Sequence, residues 1–320
     1  MMHSLIAQFE SRFPDEQACA DAVQLWKWPN GFCCAACGHR ESYKIDTRRL
    51  PLFECRICKR QASLTSNTLM HKSSTSLKQW LLAVFLVSSY DRGLNAVMLS
   101  QVLQVTYKTA WRMLHLIRVA ISRMDEDQIL QGKVEAKLEV WMRHLFPTDD
   151  NLQTEKPVII AKGRGGQGEI YYKMKLIDRK QQARMPLLEV EKTAFVDRYC
   201  DGLNSNVQFN GRSQQLRKQS MHTYKLYATD REDGSSLDFQ SIIHSRKYPL
   251  SIVASEAFQW LNDRFHGLGR KYVQFYLDEY CFRLNVSNRE PVQATELLLS
   301  RMLMPFQVKQ QRALNPQRAA

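Results

Sequence analysis

The chain has 320 residues, 44% of them hydrophobic, and Lys plus Arg outnumber Asp plus Glu 45 to 32, for a net charge of +13 and a pI near 9.4. That length suits two or three small domains, or one core with appended modules. No apolar run approaches the ~18 residues a membrane span needs, and MMHSLIAQFESRFPDEQ has no basic stretch of a signal peptide, so cytoplasmic residence is expected, nucleoid-associated in a bacterium. The positive excess favours a polyanion, and nucleic acid is the commonest soluble one.

Taken in chain order, residues 1–30 read as a helical lead-in broken at Phe13-Pro14-Asp15. Residues 31–66 form a short, turn-rich cysteine module. Residues 72–125 are strongly helical in three pieces, LKQWLLAVFLVSS, GLNAVMLSQVLQV and TYKTAWRMLHLIRVAIS, interrupted at Gly93 and at the cap candidate Thr106. From about 130 to 290 a fourth region begins with the strands 134–142 and 157–161. In GEIYYKMKLID, Ile170, Tyr172, Met174 and Leu176 alternate with more polar neighbours, as in a half-buried strand. A helix over 186–201, a strand over 206–209, a polar loop over 211–247 and helices over 251–265 and 270–285 complete it. Residues 291–320 read as a C-terminal tail.

Five of the eight cysteines crowd into 26 residues. Cys34-x2-Cys37 and Cys55-x2-Cys58 have the spacing of a four-thiolate zinc site, in which each pair forms a knuckle and the segment between them a hairpin. The ion is expected to be structural, since so small a module cannot bury enough surface to fold alone. Gly38 follows the first knuckle, where a tight turn requires positive φ. Cys33 adjoins Cys34 as a competing ligand, though the x2 spacing favours Cys34.

LSQVLQVTYKTAWRMLHLIR has the layout of a helix-turn-helix. Leu99, Val102 and Leu103 give the first helix an apolar face, Val105 fills the turn, and Ala110, Trp111, Leu114 and Ile117 supply the core of the second. Thr106, Tyr107, Lys108 and Thr109 lie at the N-terminus of that helix, where side chains enter a major groove and backbone N–H groups meet phosphate. Arg112 and Arg118 are candidates for further phosphate contacts. The expected partner is double-stranded DNA.

The order and wording of these segments resemble the zinc-ribbon insertion-sequence transposases related to the eukaryotic Merlin elements. The resemblance runs through RFPDEQACADAVQLWKWPNGFCCAACGH, FECRICKRQASLTSNTLMHKSSTSLKQWLLAVFLVSS, VTYKTAWRMLHLIR and FHGLGRKYVQFYLDEYCFRLN; 143–250 is its weak part. It implies an α/β multi-module protein: a small zinc ribbon, a helix-turn-helix segment, and an RNase H-like mixed sheet flanked by helices. It also implies work as a dimer or higher assembly, and DNA cleavage and joining with two Mg²⁺ ions held by acidic residues.

The sequence departs from the family at those acids. In VEAKLEVW, Lys137 stands where the metal-bridging aspartate belongs and Leu138 replaces the next acid. In VQFNG the second aspartate position is Asn210, and in ASEAFQWL Glu256 holds the third. An ammonium offers no acceptor and repels a cation, so Mg²⁺ is not expected here and strand transfer is expected to be lost. Glu135 and Glu139 share the strand face of Lys137 but sit ~6–7 Å along it, too far to stand in. Lys137 is expected to pair with Glu256 in place of the metal. An active transposase with displaced carboxylates and a zinc-ribbon protein-interaction module are the competing readings.

Overall fold

The computed structural model describes residues 2–47, 49–90, 92–142, 148–178, 183–209, 249–265 and 268–305. They form two compact units, residues 1–124 with 282–320, and residues 125–281. No helix of the described residues is long and apolar enough to cross a membrane.

The first unit opens with α1 (Met2–Arg12) and α2 (Glu16–Lys27), separated at Pro14 and Asp15. The Asp15 carboxylate accepts from the Ala18 N–H at 2.8 Å, satisfying one of the donors left over at a helix start. The antiparallel strands β1 (Ser42–Ile45), β2 (Leu52–Cys55) and β3 (Gln61–Ser63) follow. Next comes α3 (Leu77–Ser89), buried on nearly every side through Leu77, Trp80, Leu81, Ala83, Val84, Phe85, Leu86 and Val87. A helix apolar all round belongs inside a core. Its start is doubly capped: Ser76 and Gln79 form a capping box, and Glu16 from α2 accepts from the N–H groups of Leu77 and Lys78 at 2.9 and 3.0 Å.

After Gly93, at φ 80°, come α4 (Ala96–Leu103) and α5 (Tyr107–Asp127). The unit is closed by a helix absent from the sequence reading: Pro291–Leu303, within the segment read as a tail, packs against α3 and α2, burying Leu298, Leu299 and Met302. Proline at its first turn is pre-organised for a helix start.

The second unit is built on a four-stranded sheet in the order β6-β5-β4-β7. β4 (Leu130–Trp141), β5 (Lys156–Arg164) and β6 (Ile170–Leu176) are antiparallel neighbours, whereas β7 (Cys200–Phe209) runs parallel to β4. Between β4 and β5 lies the short α6 (Asp149–Thr154), and between β6 and β7 lies α7 (Glu189–Tyr199). The helices α8 (Pro249–Arg264) and α9 (Val273–Asn285) follow, and α10 names the closing helix of the first unit, Pro291–Leu303. Strand alternation sorts the core into two layers. Val158, Ile160 and Met174 pack with Leu250, Ala254, Ala257 and Leu277 of α8 and α9. Val134, Ala136, Ile159 and Ala161 pack with Phe195 and Tyr199 of α7 on the other face.

This unit buries four charges together. Lys173 and Lys175 of β6 contact Asp125, Lys175 also meets Asp278 of α9 at 2.8 Å, and Tyr171 donates to Asp125 at 3.1 Å. Two ammonium and two carboxylate groups cancel. Burial pushes Lys175 down, but Asp278 and Asp125 outweigh it and hold the ammonium well above its ordinary value. A raised folded value gives stability that is complete below the ordinary lysine range and lost only as pH rises through the folded value. Lys175→Met should therefore lower the unfolding free energy by about 3–5 kcal/mol, because it strands a buried carboxylate. Denaturant titration at pH 9 should read that loss in full, and at pH 6 a smaller one, because the stranded carboxylate can take up a proton.

Candidate metal centre and nucleic-acid interface

The zinc site is built from two copies of one turn. In the first, the Gly38 N–H donates to the Cys34 carbonyl at 2.8 Å and the Cys34 N–H to the His39 carbonyl at 2.9 Å. In the second, Lys59 donates to Cys55 at 3.1 Å and Cys55 to Arg60 at 3.0 Å. The fourth residue after each leading cysteine is left-handed, Gly38 at φ 73° and Lys59 at φ 57°. Glycine takes that conformation freely, whereas a lysine there costs about 1–2 kcal/mol.

These turns bring the sulfurs of Cys34, Cys37, Cys55 and Cys58 within 4.8 Å of one another. The Cys34–Cys58 and Cys37–Cys55 separations are 3.5 and 3.6 Å. A tetrahedron with metal–sulfur bonds of ~2.3 Å has edges of ~3.8 Å, so the geometry fits zinc. Cys33 is exposed, with its sulfur 3.8 Å from the Gly38 carbonyl oxygen, outside the four. No other group of three or more ligating side chains converges among the described residues.

Electrostatics call for a cation at the centre. The N–H groups of Ala36 and Cys37 lower the Cys34 thiol to about 6. Cys55 also moves down, burial being outweighed by the N–H groups of Cys58 and Ile57. For Cys37 the His39 N–H lowers the value, but Cys58, burial and Cys55 outweigh it and push the thiol up to about 12. The knuckles thus favour the first thiolates, and only a dication lets all four ionise together.

An aromatic trio supports the ribbon: Trp28, Phe32 and Phe53 lie with ring centroids 4.8 to 6.1 Å apart. Lys27, at the end of α2, donates to the carbonyls of Ser63, Leu64 and Ser66 at 2.8, 3.0 and 2.8 Å, tying down the chain that leaves β3. Burial pushes Lys27 down to about 8.

The second candidate surface is α4–turn–α5. Gln104 closes α4 in the left-handed conformation at φ 53°, and Val105 and Thr106 complete a three-residue turn. Thr106 Oγ1 accepts from the Thr109 N–H at 3.2 Å, the capping predicted for it. Thr106, Tyr107, Lys108 and Arg112 are exposed and Thr109 is half-buried. Arg118 is a correction: it is 3% exposed and donates to the Leu94 carbonyl at 3.3 Å. It braces the loop before α4 and presents no charge to solvent.

Of the three positions expected at a catalytic centre, Lys137 and Glu256 are described, and they do not form the expected pair. Lys137 lies on β4, opposite Ile160 of β5. Among the described residues it pairs with Glu139 at 2.8 Å, and it donates to Ser251 of α8, which in turn donates to Glu139 at 2.6 Å. Glu256 instead is exposed and accepts from the Tyr280 hydroxyl at 3.3 Å. The reason is helical geometry: five residues separate Ser251 from Glu256, about 7.5 Å of rise and 140° of rotation. Asn210 follows Phe209, which pairs with Ala136 on β4, but Asn210 itself and the loop 211–247 lie outside the described residues. Ser251 was missed in the sequence, where nothing distinguishes it from other helix-start serines.

Residues 14–61, from α2 through both knuckles to β3, match the family described as the transposase zinc-ribbon domain. No curated protein and no solved structure matches the chain.

Purified protein should carry one zinc per chain by elemental analysis, and Cys58→Ser should lose it. Because the ion is held by thiolates, with which protons compete, zinc should be retained at neutral pH and released on acidification. A zinc-responsive dye added during acid titration reads that release.

Proposed function

We propose that the chain is a transposase-related DNA-binding protein that has lost strand-cleavage chemistry. The observation that carries this reading is the transposase zinc-ribbon match over 14–61, coincident with four thiols at zinc-binding separation. In this reading α4 and α5 act as a helix-turn-helix, with Tyr107 and Lys108 entering the major groove and Arg112 on a phosphate. The net charge of +13 supports the same partner. The mixed sheet with helices against both faces supports an RNase H-like second unit.

Loss of chemistry rests on Lys137. An ammonium already paired with Glu139 occupies the middle of the central strand and repels a divalent ion, while the carboxylate beside it is committed to Lys137 and Ser251. Mg²⁺ chemistry would need two ions held by oxygen ligands on this face. In the proposed state the protein holds duplex DNA, as a dimer or higher assembly, without cutting it.

Two measurements test this. Lys108→Ala with Arg112→Ala should lower the salt-dependence slope of duplex binding by about 2, whereas Arg118→Ala should lower the melting temperature first. Binding unaffected by the double change refutes the assignment of α5. Nicking of supercoiled DNA with Mn²⁺ should stay at background, and any turnover abolished by Glu139→Gln would restore an active-transposase reading.

A further inference from the structure

Beyond the α4–α5 surface, the zinc ribbon carries its own cluster of cations organised on one aromatic ring. Tyr43, on β1, is 51% exposed although it sits in a strand whose neighbours pair with β2. The Arg56 guanidinium lies 5.0 Å and the Lys59 ammonium 5.4 Å from its ring centroid. Both cations come from the second zinc knuckle, one on each side of Ile57 and Cys58, and Ile57 at the tip is 69% exposed. Arg40, Lys44, Arg49 and Arg60 are exposed in the same small module. Glu41 pairs with Arg56 at 3.0 Å and Asp46 with Lys44 at 3.2 Å, so positive charge remains in excess.

Lys59 makes this arrangement more than a charged surface. The matching position in the first knuckle is Gly38, the residue suited to a left-handed turn, yet the second knuckle keeps a lysine at φ 57°. Glycine would make the same N–H bond to the Cys55 carbonyl without strain. What glycine cannot supply is a side chain over Tyr43. A ring facing two cations holds their long side chains in place, which reduces the ordering each must undergo on meeting an anion.

We propose that Tyr43, Arg56 and Lys59 form a phosphodiester-binding clamp, through which the zinc ribbon grips the backbone of duplex DNA independently of sequence. This rests on the DNA-binding reading of the chain but not on the α4–α5 contacts. The guanidinium and ammonium each meet a phosphate oxygen, and the exposed Tyr43 hydroxyl is a further donor.

The test uses the full zinc-loaded chain and a fluorescent duplex of arbitrary sequence of about 30 base pairs. Lys59→Gly should keep one zinc per chain and melt at or above the wild-type temperature, since it removes strain. Its duplex affinity should nevertheless fall roughly five- to tenfold at 0.1 M salt, with the salt slope reduced by about 0.9. Lys59→Gln, which keeps the strain and loses the charge, should bind as weakly, and Tyr43→Leu should fall in the same direction. Unchanged affinity and slope in zinc-loaded Lys59→Gly overturn the clamp, as does an affinity loss found only in parallel with zinc loss. Lys108→Ala with Arg112→Ala, run beside these, separates the two surfaces: failure of that pair with a clear Lys59 effect refutes the α5 assignment and leaves the clamp standing.

Discussion

Four thiolates around one dication set the geometry of the ribbon, and the first unit is fastened to that point by a chain of polar contacts. The ribbon's own apolar support is little more than Trp28, Phe32 and Phe53, too small a core to fold alone. A structural zinc contributes about 10–16 kcal/mol in small modules of this kind, more than such a core can supply. From β3 the chain's carbonyls are gathered by Lys27 at the end of α2. Glu16 at the start of α2 caps α3, and Gln79 in the first turn of α3 donates to the Leu103 carbonyl at the end of α4 at 2.8 Å. Each contact satisfies a backbone group that a helix end or loop would leave unpaired. The zinc knuckles and the turn into α5 therefore belong to one hydrogen-bonded framework.

The two units solve the same electrostatic problem with different cations. In the ribbon, four sulfurs crowd together and only an added dication neutralises them. In the second unit the cations are covalently part of the chain: Lys173 and Lys175 neutralise Asp125 and Asp278, and Lys137 neutralises Glu139. A lysine ammonium fixed to a strand needs no metal supply, but it cannot coordinate an attacking oxygen or a leaving group as a divalent ion does. The Lys137–Glu139 pair therefore leaves that part of the sheet face neutral without a metal.

The zinc site was legible because its information is local: the x2 spacings fix the knuckles, and the knuckles fix the tetrahedron. α3 was equally plain, since a continuous apolar run admits few readings; β6 was found as a strand but not half-buried, because Lys173 and Lys175 are buried with Asp125 and Asp278 while Ile170 is exposed. The misses lie where partners are distant in sequence. β7 begins at Cys200, six residues before the strand expected from its apolar end, because its parallel pairing with β4 carries polar residues into the sheet. α10 was read as tail because nothing near it announces that α2 and α3 leave a face for it to cover. Lys137 was matched to Glu256 on charge alone, whereas the rotation along α8 brings Ser251 to it instead.

Arg118 marks the edge of the buried stripe of α5. At 100° per residue, Lys108 and Arg112 lie about 40° apart on α5, and both lie about 150–170° from the direction of Ala110, Leu114, Ile117 and Ile121. All four of those residues are buried. Arg118 falls only about 70° from the same direction, at the margin of the core, so its guanidinium must find a buried acceptor, and the Leu94 carbonyl provides one. The same arithmetic that removes Arg118 from the outer face keeps Lys108 and Arg112 together on it. A basic pair one turn apart, opposite the core and just after a capped helix start, is the arrangement by which a helix can lie along a phosphate backbone while its first turn meets base edges. That geometry depends on α3, α4 and the ribbon, and on no carboxylate of the second unit. In the proposed reading, DNA binding is thus separable from the chemistry of the second unit, because the residues assigned to it lie on α5 and the ribbon and Lys137 lies on β4.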